Sequence, residues 1–279
     1  MTLDSRSTPA IFYDSAAVRS PAVQELRELW RYRDLLQLLI SNSIKTRYKR
    51  SALGVLWTLL NPLLTTIVLT VALSQLFRFR LENYPVYLLS GLIAWNFFSQ
   101  TVTQVMSTLI WGSRLMKRIY VPRTVFPISV VGNGLVNLVL ALIPLVVIMV
   151  FVHQPLRWTL WLLPPTILLL SMFTIGLSLL LATLAVYFVD LVEMVKILLM
   201  AWFYLTPIIY PLEVVPPKYA WLIKLNPMSY FVEMFRGMIY NGSLPTTWHL
   251  TIAVVASVIV LLAGWMIFTK KANEFAYRI

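Results

Sequence analysis

The feature that most constrains this chain is a series of long segments that contain no Asp, Glu, Lys or Arg. These charge-free segments cover residues 51–77, 83–113, 124–156, 158–189, 197–212 and 237–269. A helix needs about 20 mostly apolar residues to cross the hydrocarbon core of a bilayer. Charged residues form only 12% of the chain, whereas soluble proteins carry about 25%. The sequence therefore predicts an all-α integral membrane protein.

We predict six transmembrane helices from these segments, near residues 52–77, 86–111, 125–152, 159–188, 195–211 and 248–269. An even number of crossings places both termini on the same side of the membrane. Seventeen lysines and arginines fall on that side and six on the other. Because cytoplasmic loops carry an excess of Lys and Arg, we expect both termini in the cytoplasm.

The domain organisation follows from these crossings. Residues 1–21 form a cytoplasmic extension, residues 22–50 an amphipathic helix with a basic hinge, residues 51–269 the transmembrane domain and residues 270–279 a cytoplasmic tail. The amphipathic helix is expected to lie in the cytoplasmic membrane surface, because charged residues occupy the side opposite its apolar face. That apolar face consists of Leu29, Tyr32, Leu36, Leu39 and Ile40.

The segment 212–247 connects the fifth and sixth crossings on the outer side. We expect two short helices that re-enter the outer leaflet. Asn226-Pro227 predicts the start of the second helix and Asn241-Gly242 its end. The predicted polar face of this helix consists of Ser229, Glu233, Arg236 and Tyr240.

The motifs that the sequence lacks narrow the function. There is no G-x-x-x-x-G-K-[ST] phosphate loop, no H-E-x-x-H zinc motif and no G-x-S-x-G nucleophile motif. No charged residue falls deep inside a predicted crossing, which disfavours an ion-driven carrier. The net charge of +12 does not indicate nucleic acid, because the cations flank apolar segments. We therefore predict transport powered by a partner protein.

Four stretches resemble the permease subunits of type 2 ABC exporters of lipid-linked polysaccharides. They are "RDLLQLLISNSIKTRYKRSALGVLWTLLNPLL" (33–64), "YPVYLLSGLIAWNFFSQTV" (84–102), "LMKRIYVPRTVFPIS" (115–129), and "LTPIIYP" with "LNPMSYFVEMFRGMIY" (205–240). The resemblance implies a homodimer with two separate ATPase subunits, which bind ATP and Mg, in a bacterial cytoplasmic membrane. It implies no cofactor or metal in this chain. It also implies a polyprenyl-diphosphate-linked glycan as substrate, namely O-antigen, capsule or teichoic acid.

A basic cluster directly precedes the first crossing. Arg47, Lys49 and Arg50 anchor that helix on the cytoplasmic side by the positive-inside rule. The same cations can attract an anionic lipid head group, and arginine can hold phosphate bidentately. With the resemblance, these three residues become candidates for contact with the substrate diphosphate.

The resemblance implies a channel lined mainly by the first and fifth crossings. In the first crossing the candidates are Trp57 and Asn61, the latter followed by Pro62, which bends the helix as a static kink or as a flexion point. The fifth crossing is short and interrupted by proline, as in many substrate pathways. Its candidates are Trp202, Phe203, Tyr204 and Tyr210. In the third crossing, Asn133 and Asn137 predict packing between helices.

The loop between the second and third crossings resembles the family's coupling helix, which seats in a cleft of the ATPase. Its candidate coupling residues are Arg114, Lys117, Arg118, Tyr120 and Arg123. Positive-inside anchoring explains the cations, but it does not explain a short helical turn closed by Pro122. The alternatives that remain open are an exporter of a small lipid or drug, a membrane-embedded glycosyl- or acyltransferase, and a structural scaffold.

Overall fold

The computed structural model describes residues 21–49, 54, 56–76, 83–111 and 121–275. In this part of the chain all regular structure is helical. The α-helices are α1 (Pro21–Arg31), α2 (Arg33–Tyr48), α3 (Leu56–Leu76), α4 (Tyr84–Trp111), α5 (Val125–Phe151), α6 (Leu163–Tyr187), α7 (Leu191–Leu205), α8 (Ala220–Leu225), α9 (Pro227–Arg236) and α10 (Thr247–Lys271). The all-helical prediction is confirmed for these residues.

Within the described residues, three helices are long and apolar enough to cross a membrane. They are Val125–Phe151, Trp158–Tyr187, which joins a 3-10 turn to α6, and Thr247–Lys271. A shorter apolar helical stretch, Leu59–Ala72, lies within α3. Helix α4 has 28 residues and no charge. Its mean hydropathy is lowered by seven amide and hydroxyl side chains between Asn96 and Ser107.

The predicted amphipathic helix is two helices, α1 and α2, separated at Tyr32, whose φ of −94° and ψ of 20° depart from helical values. The predicted apolar side chains are half-buried, whereas Arg27, Arg31 and Asp34 are exposed. Ile40 packs on Gly132 of α5. A Cβ added to Gly132 would lie 2.4 Å from the Cδ1 atom of Ile40. The apolar side of α2 is thus covered in part by α5.

Helix α4 lies at the centre of the bundle, in contact with α3, α5, α6, α7 and α9. The largest fully buried side chains include Phe98 of α4, Phe231 and Phe235 of α9. The most extensive helix pair is α6 with α10. These two backbones approach closely at Gly176 and Gly264, where a Cβ on Gly264 would lie 2.0 Å from the Gly176 carbonyl oxygen.

Helix α7 ends earlier than predicted. Its last residue is Leu205, and Thr206 is extended, with φ −97° and ψ 130°. The residue before a proline is pushed out of the helical region, and Pro207 itself has no N–H to donate. The stretch 206–211, predicted as the outer part of the fifth crossing, is therefore irregular backbone.

The segment after α7 contains two short α-helices, as predicted, preceded by the 3-10 turns Leu212–Val214 and Pro217–Tyr219. The Asn226 side chain caps α9 by accepting a hydrogen bond of 3.0 Å from the Met228 N–H. A π-helical turn, Gly237–Asn241, extends α9 and ends at Gly242, whose φ is +67°. The predicted start and end of this helix are confirmed.

Candidate transport pathway

A cavity of about 280 Å³ lies between α3, α4 and α5. Trp57 and Asn61, both predicted to line a channel, lie on its α3 side, beside Gly54 and Pro62. Asn137 of α5 also lines it, whereas Asn133 is buried. The sequence interpretation of Asn137 as a packing residue missed this cavity. Three further amides, from Asn96, Gln100 and Gln104 of α4, complete the polar lining.

A second, wider groove of about 720 Å³ runs between α4 and α7. Phe203 and Tyr204, two of the predicted pathway aromatics, line it on the α7 side. Tyr204 is 57% exposed, and its carbonyl oxygen accepts a hydrogen bond of 2.9 Å from the Tyr210 hydroxyl. Gln100 and Gln104 line this groove as well as the first cavity.

Trp202, the third predicted pathway aromatic on α7, is half-buried against α4. Its ring centroid lies 5.3 Å from that of Phe98 and 6.4 Å from that of Trp95. Its indole N–H donates a hydrogen bond of 2.7 Å to Oδ1 of Asn226. The structure therefore packs Trp202 against α4, while Phe203 and Tyr204 border the groove.

Asn226 connects α7 to α9, a role that its position in an Asn-Pro pair did not reveal. Besides Trp202, its Oδ1 accepts from the Met228 N–H. Its Nδ2 donates to Oγ1 of Thr206 at 2.8 Å and to the Leu205 carbonyl oxygen at 3.4 Å. One amide thus satisfies the polar groups at the broken end of α7 and at the start of α9.

Arg236 is only 2% exposed, although the sequence pattern assigned it to a polar face of α9. That prediction was wrong for Arg236 and for Ser229, which is also buried, because α4, α6 and α10 surround this helix. The guanidinium bonds Glu233 at 2.6 Å and the Pro207 carbonyl oxygen at 2.8 Å. The sequence feature that could have indicated this burial was the i,i+3 pair of Glu233 and Arg236 in an otherwise apolar helix.

On the predicted cytoplasmic side, the structure covers only some of the candidate residues. Lys49 is exposed. Arg47 lies in α2, but its side chain is outside the described part of the chain, as is Arg50. Of the candidate coupling residues, only Arg123 is described, since residues 112–120 fall outside. The predictions for Arg114, Lys117, Arg118 and Tyr120 remain predictions.

Arg123 lies among residues of its own chain. Its guanidinium carbon is 6.0 Å from the Phe275 ring centroid. Burial lowers the pKa of Arg123, and the nearby Glu25 carboxylate opposes that shift. Burial also raises the pKa of Glu25, whose Oε2 accepts a hydrogen bond of 2.5 Å from the Thr124 hydroxyl. These contacts join α1 to the start of α5.

Among the described residues, no group of three or more His, Asp or Glu side chains is arranged to hold a metal ion. The cavity and groove are instead lined by amides, hydroxyls and aromatic rings. Apart from Lys196 in the groove, the described lining residues are neutral, and their polar groups can contact a polar molecule by hydrogen bonds. The fold and these linings define a helical membrane protein with internal polar surfaces.

The chain belongs to the ABC-2 type transporter family, whose sequence model matches residues 34–240. It is 34% identical over 262 residues to an O-antigen export system permease protein RfbA of Myxococcus xanthus, covering 92% of this chain and 100% of that protein. It is 33% identical over 247 residues to RfbA of Klebsiella pneumoniae, covering 87% and 94%. A polysialic acid transport protein KpsM of Escherichia coli is 23% identical over 252 residues, covering 85% and 93%.

Proposed function

We propose that this chain is the membrane permease subunit of an exporter of lipid-linked polysaccharide, with O-antigen as the favoured cargo. The observation that carries the proposal is the similarity to two O-antigen export permeases over nearly the whole of each chain. The weaker similarity to a polysialic acid transport protein fits a polysaccharide as cargo. The polar cavity and groove supply surfaces on which an uncharged sugar chain can slide.

In this proposal, the membrane is crossed six times, by α3, α4, α5, α6, α7 and α10. Three of these helices meet the length and apolarity of a crossing by themselves. Helices α3 and α4 carry no charge, and α7 carries charge only at its start, on Glu193 and Lys196. The segment 212–247 would complete the outer half beyond the short α7, and both termini would face the cytoplasm.

The proposed assembly contains two copies of this chain and two ATPase subunits, which would bind ATP and Mg. The loop containing Arg114, Lys117, Arg118 and Tyr120 would transmit the ATPase motion. Arg47, Lys49 and Arg50 would attract the diphosphate of the glycan lipid at the cytoplasmic entrance. The channel would run between the two copies, and the exposed Trp57 and Tyr204 of each are its candidate lining residues.

Deletion of the gene in its host, followed by complementation, tests this function. We expect surface polysaccharide to disappear while the lipid-linked glycan accumulates inside, and the plasmid-borne gene to restore export. Accumulation separates a transporter from a glycosyltransferase, whose loss would prevent synthesis of the glycan. Unchanged surface polysaccharide in the deletion strain would contradict the proposal.

A further inference from the structure

Two polar rows run along the middle of α4. Asn96, Gln100 and Gln104 recur every four residues, so they share one face of the helix. We refer to these three residues as the amide row. Ser99, Thr103 and Ser107 form a second row at the same spacing beside it.

The two rows differ in how their polar groups are satisfied. The Thr103 hydroxyl donates to the Ser99 carbonyl oxygen at 2.8 Å, and the Ser107 hydroxyl donates to the Thr103 carbonyl oxygen at 2.9 Å. In contrast, no residue in the described part of the chain forms a hydrogen bond with a side chain of the amide row. The Thr103 and Ser107 hydroxyls bond their own helix, whereas the amide side chains, of which Gln100 and Gln104 are exposed, have no such partner among the described residues.

The amide row lies where the cavity and the groove meet. Asn96, Gln100 and Gln104 line the cavity between α3, α4 and α5, and Gln100 and Gln104 also line the groove between α4 and α7. Asn61 and Asn137 face the row across the cavity. Five amides therefore line one cavity, and three of them, Asn61, Gln100 and Gln104, are exposed in the single chain.

The chemistry of these amides selects a kind of partner. Each amide offers two N–H donors and a carbonyl acceptor, and leaving it unpaired in an apolar medium costs about 2 kcal/mol or more. A hydroxyl both donates and accepts, so a ligand rich in hydroxyls matches this surface. Among the described residues lining either space, Lys196 alone is charged, and it is paired with Glu193 at 2.6 Å. The described lining of the two spaces is therefore mainly neutral and favours recognition through hydroxyl groups over recognition by charge.

We propose that the amide row binds the hydroxyl groups of the passing glycan, so that α4 forms part of the pathway together with α3 and α7. This inference rests on the proposed function. The aromatic rings of Trp57, Phe203 and Tyr204 border the same spaces and present flat faces to the C–H surfaces of sugar rings. Amides placed between such rings guide a neutral polymer without the strong binding that a charge pair would impose.

The first test removes the amides at nearly constant volume in the double variant Gln100→Leu/Gln104→Leu. We expect appearance of pulse-labelled polysaccharide at the surface to slow about fivefold or more, as for loss of one or two hydrogen bonds. Thr251→Val is the matched control, since that hydroxyl bonds its own helix at 2.8 Å and lies on α10, which lines neither space, and it should retain at least half of the wild-type rate. Gln100→Asn/Gln104→Asn, which keeps the amides, should export faster than the leucine variant.

Co-purification of each variant with its ATPase shows that the assembly is intact. Wild-type rates in an assembled leucine variant would overturn this inference while leaving the proposed function in place. If deletion of the wild-type gene itself leaves export unchanged, the proposed function fails instead. The two failures are therefore distinguishable.

A second test uses the absence of cysteine from the chain. Cysteine at Gln104 should react with a small hydrophilic maleimide, whereas cysteine at Val102, which is 0% exposed, should not. Labelling at position 104 should fall in cells that make the lipid-linked glycan, compared with cells blocked in its synthesis. Equal labelling in both cells, or an efficient disulfide between position 104 of two copies, would overturn the inference in favour of a water-filled crevice or a contact between copies.

Discussion

The guanidinium carbon of Arg236 lies 3.7 Å from the ring centroid of Tyr87, which places a buried cation of α9 on an aromatic face of α4. The same guanidinium bonds Glu233 and the carbonyl oxygens of Pro207 and Ile208. The last two belong to the irregular backbone after α7, whose carbonyl oxygens need donors. Arg236 therefore ties the C-terminal end of α7 to α4 and α9.

Replacement of Arg236 by Met should destabilise the permease by about 3 kcal/mol, because it leaves the partly buried Glu233 carboxylate without its partner. Thermal unfolding of the purified protein measures the loss. The double variant Arg236→Met/Glu233→Gln should be more stable than the single one, since it removes the uncompensated charge. If the double variant is as unstable as the single one, the ion pair is not the source of the effect.

Replacement of Asn226 by Ala should lower the free energy of unfolding by about 2 kcal/mol, because Trp202, Thr206 and Met228 each lose a hydrogen-bond partner. Export should fall as well, since the C-terminal end of α7 loses its support. Asn241→Ala is the control, because that side chain is exposed at the end of the same segment. Equal melting temperatures for the two variants would rule out a supporting role for Asn226.

Replacement of Gly176 by Ala should separate α6 from α10, because the new Cβ would lie 2.4 Å from the Val260 backbone. Overpacking of this kind costs roughly 1–3 kcal/mol, measurable as a lower melting temperature. Gly237→Ala should be better tolerated, since its Cβ would lie 3.3 Å from the Ser243 hydroxyl oxygen and 3.7 Å from the Ser243 carbonyl oxygen. A Gly176 variant as stable as wild type would contradict the close packing of these helices.

Docking of α1 against the start of α5 should weaken as the pH rises through the raised pKa of Glu25. Burial raises the pKa of this carboxyl group because it favours the protonated form, and the nearby Glu28 adds to the rise. The Thr124 hydrogen bond and the Arg123 charge act in the opposite direction and lower the pKa. Docking should therefore be tightest below the ordinary pKa of the group and weaken above the raised value. Spin labels can be attached to cysteines that replace Leu26 and Lys270, both of which are exposed. The distance between the two labels, measured at several pH values from about 4 to 7, would report the docking of α1.

Two variants identify the group that titrates in this experiment. Glu25→Gln should remove the pH dependence, whereas Asp34→Asn should preserve it, because the Asp34 side chain is 90% exposed. A pH-dependent distance that survives in the Gln variant would assign the effect to another group.

Joint replacement of Arg118 and Tyr120 by Ala should uncouple export from ATP hydrolysis while the permease remains in the membrane. Arg123→Ala is the informative comparison, because Arg123 packs near Phe275 of its own chain. We expect it to lower stability rather than coupling. Co-purification with the ATPase and ATP-driven export measure the difference. If the Arg118/Tyr120 variant co-purifies with the ATPase and exports normally, the loop serves only as a topological anchor.

Local patterns in the sequence determined the helical class, the apolar segments and the ends of the outer helix. A charge-free run, an Asn-Pro start and a Gly at positive φ act within a few residues, so their effects can be derived without knowing the neighbours. The match between the predicted segment 125–152 and helix Val125–Phe151 is an example. The early end of α7 was also implicit in Pro207, although the prediction extended the segment to residue 211.

Only the tertiary structure decided the partners of the polar side chains. Asn226 meets Trp202 across 24 residues, and Arg236 meets Pro207 across 29. Arg236 was predicted on a polar face because spacing along one helix cannot reveal that other helices cover both of its sides. The amide row looked like ordinary polar residues of a charge-free segment until packing of α4 with α3, α5 and α7 placed it beside the cavity and the groove. The physical reason is that burial and hydrogen bonding depend on which helices meet, and that choice is made by packing over the whole bundle.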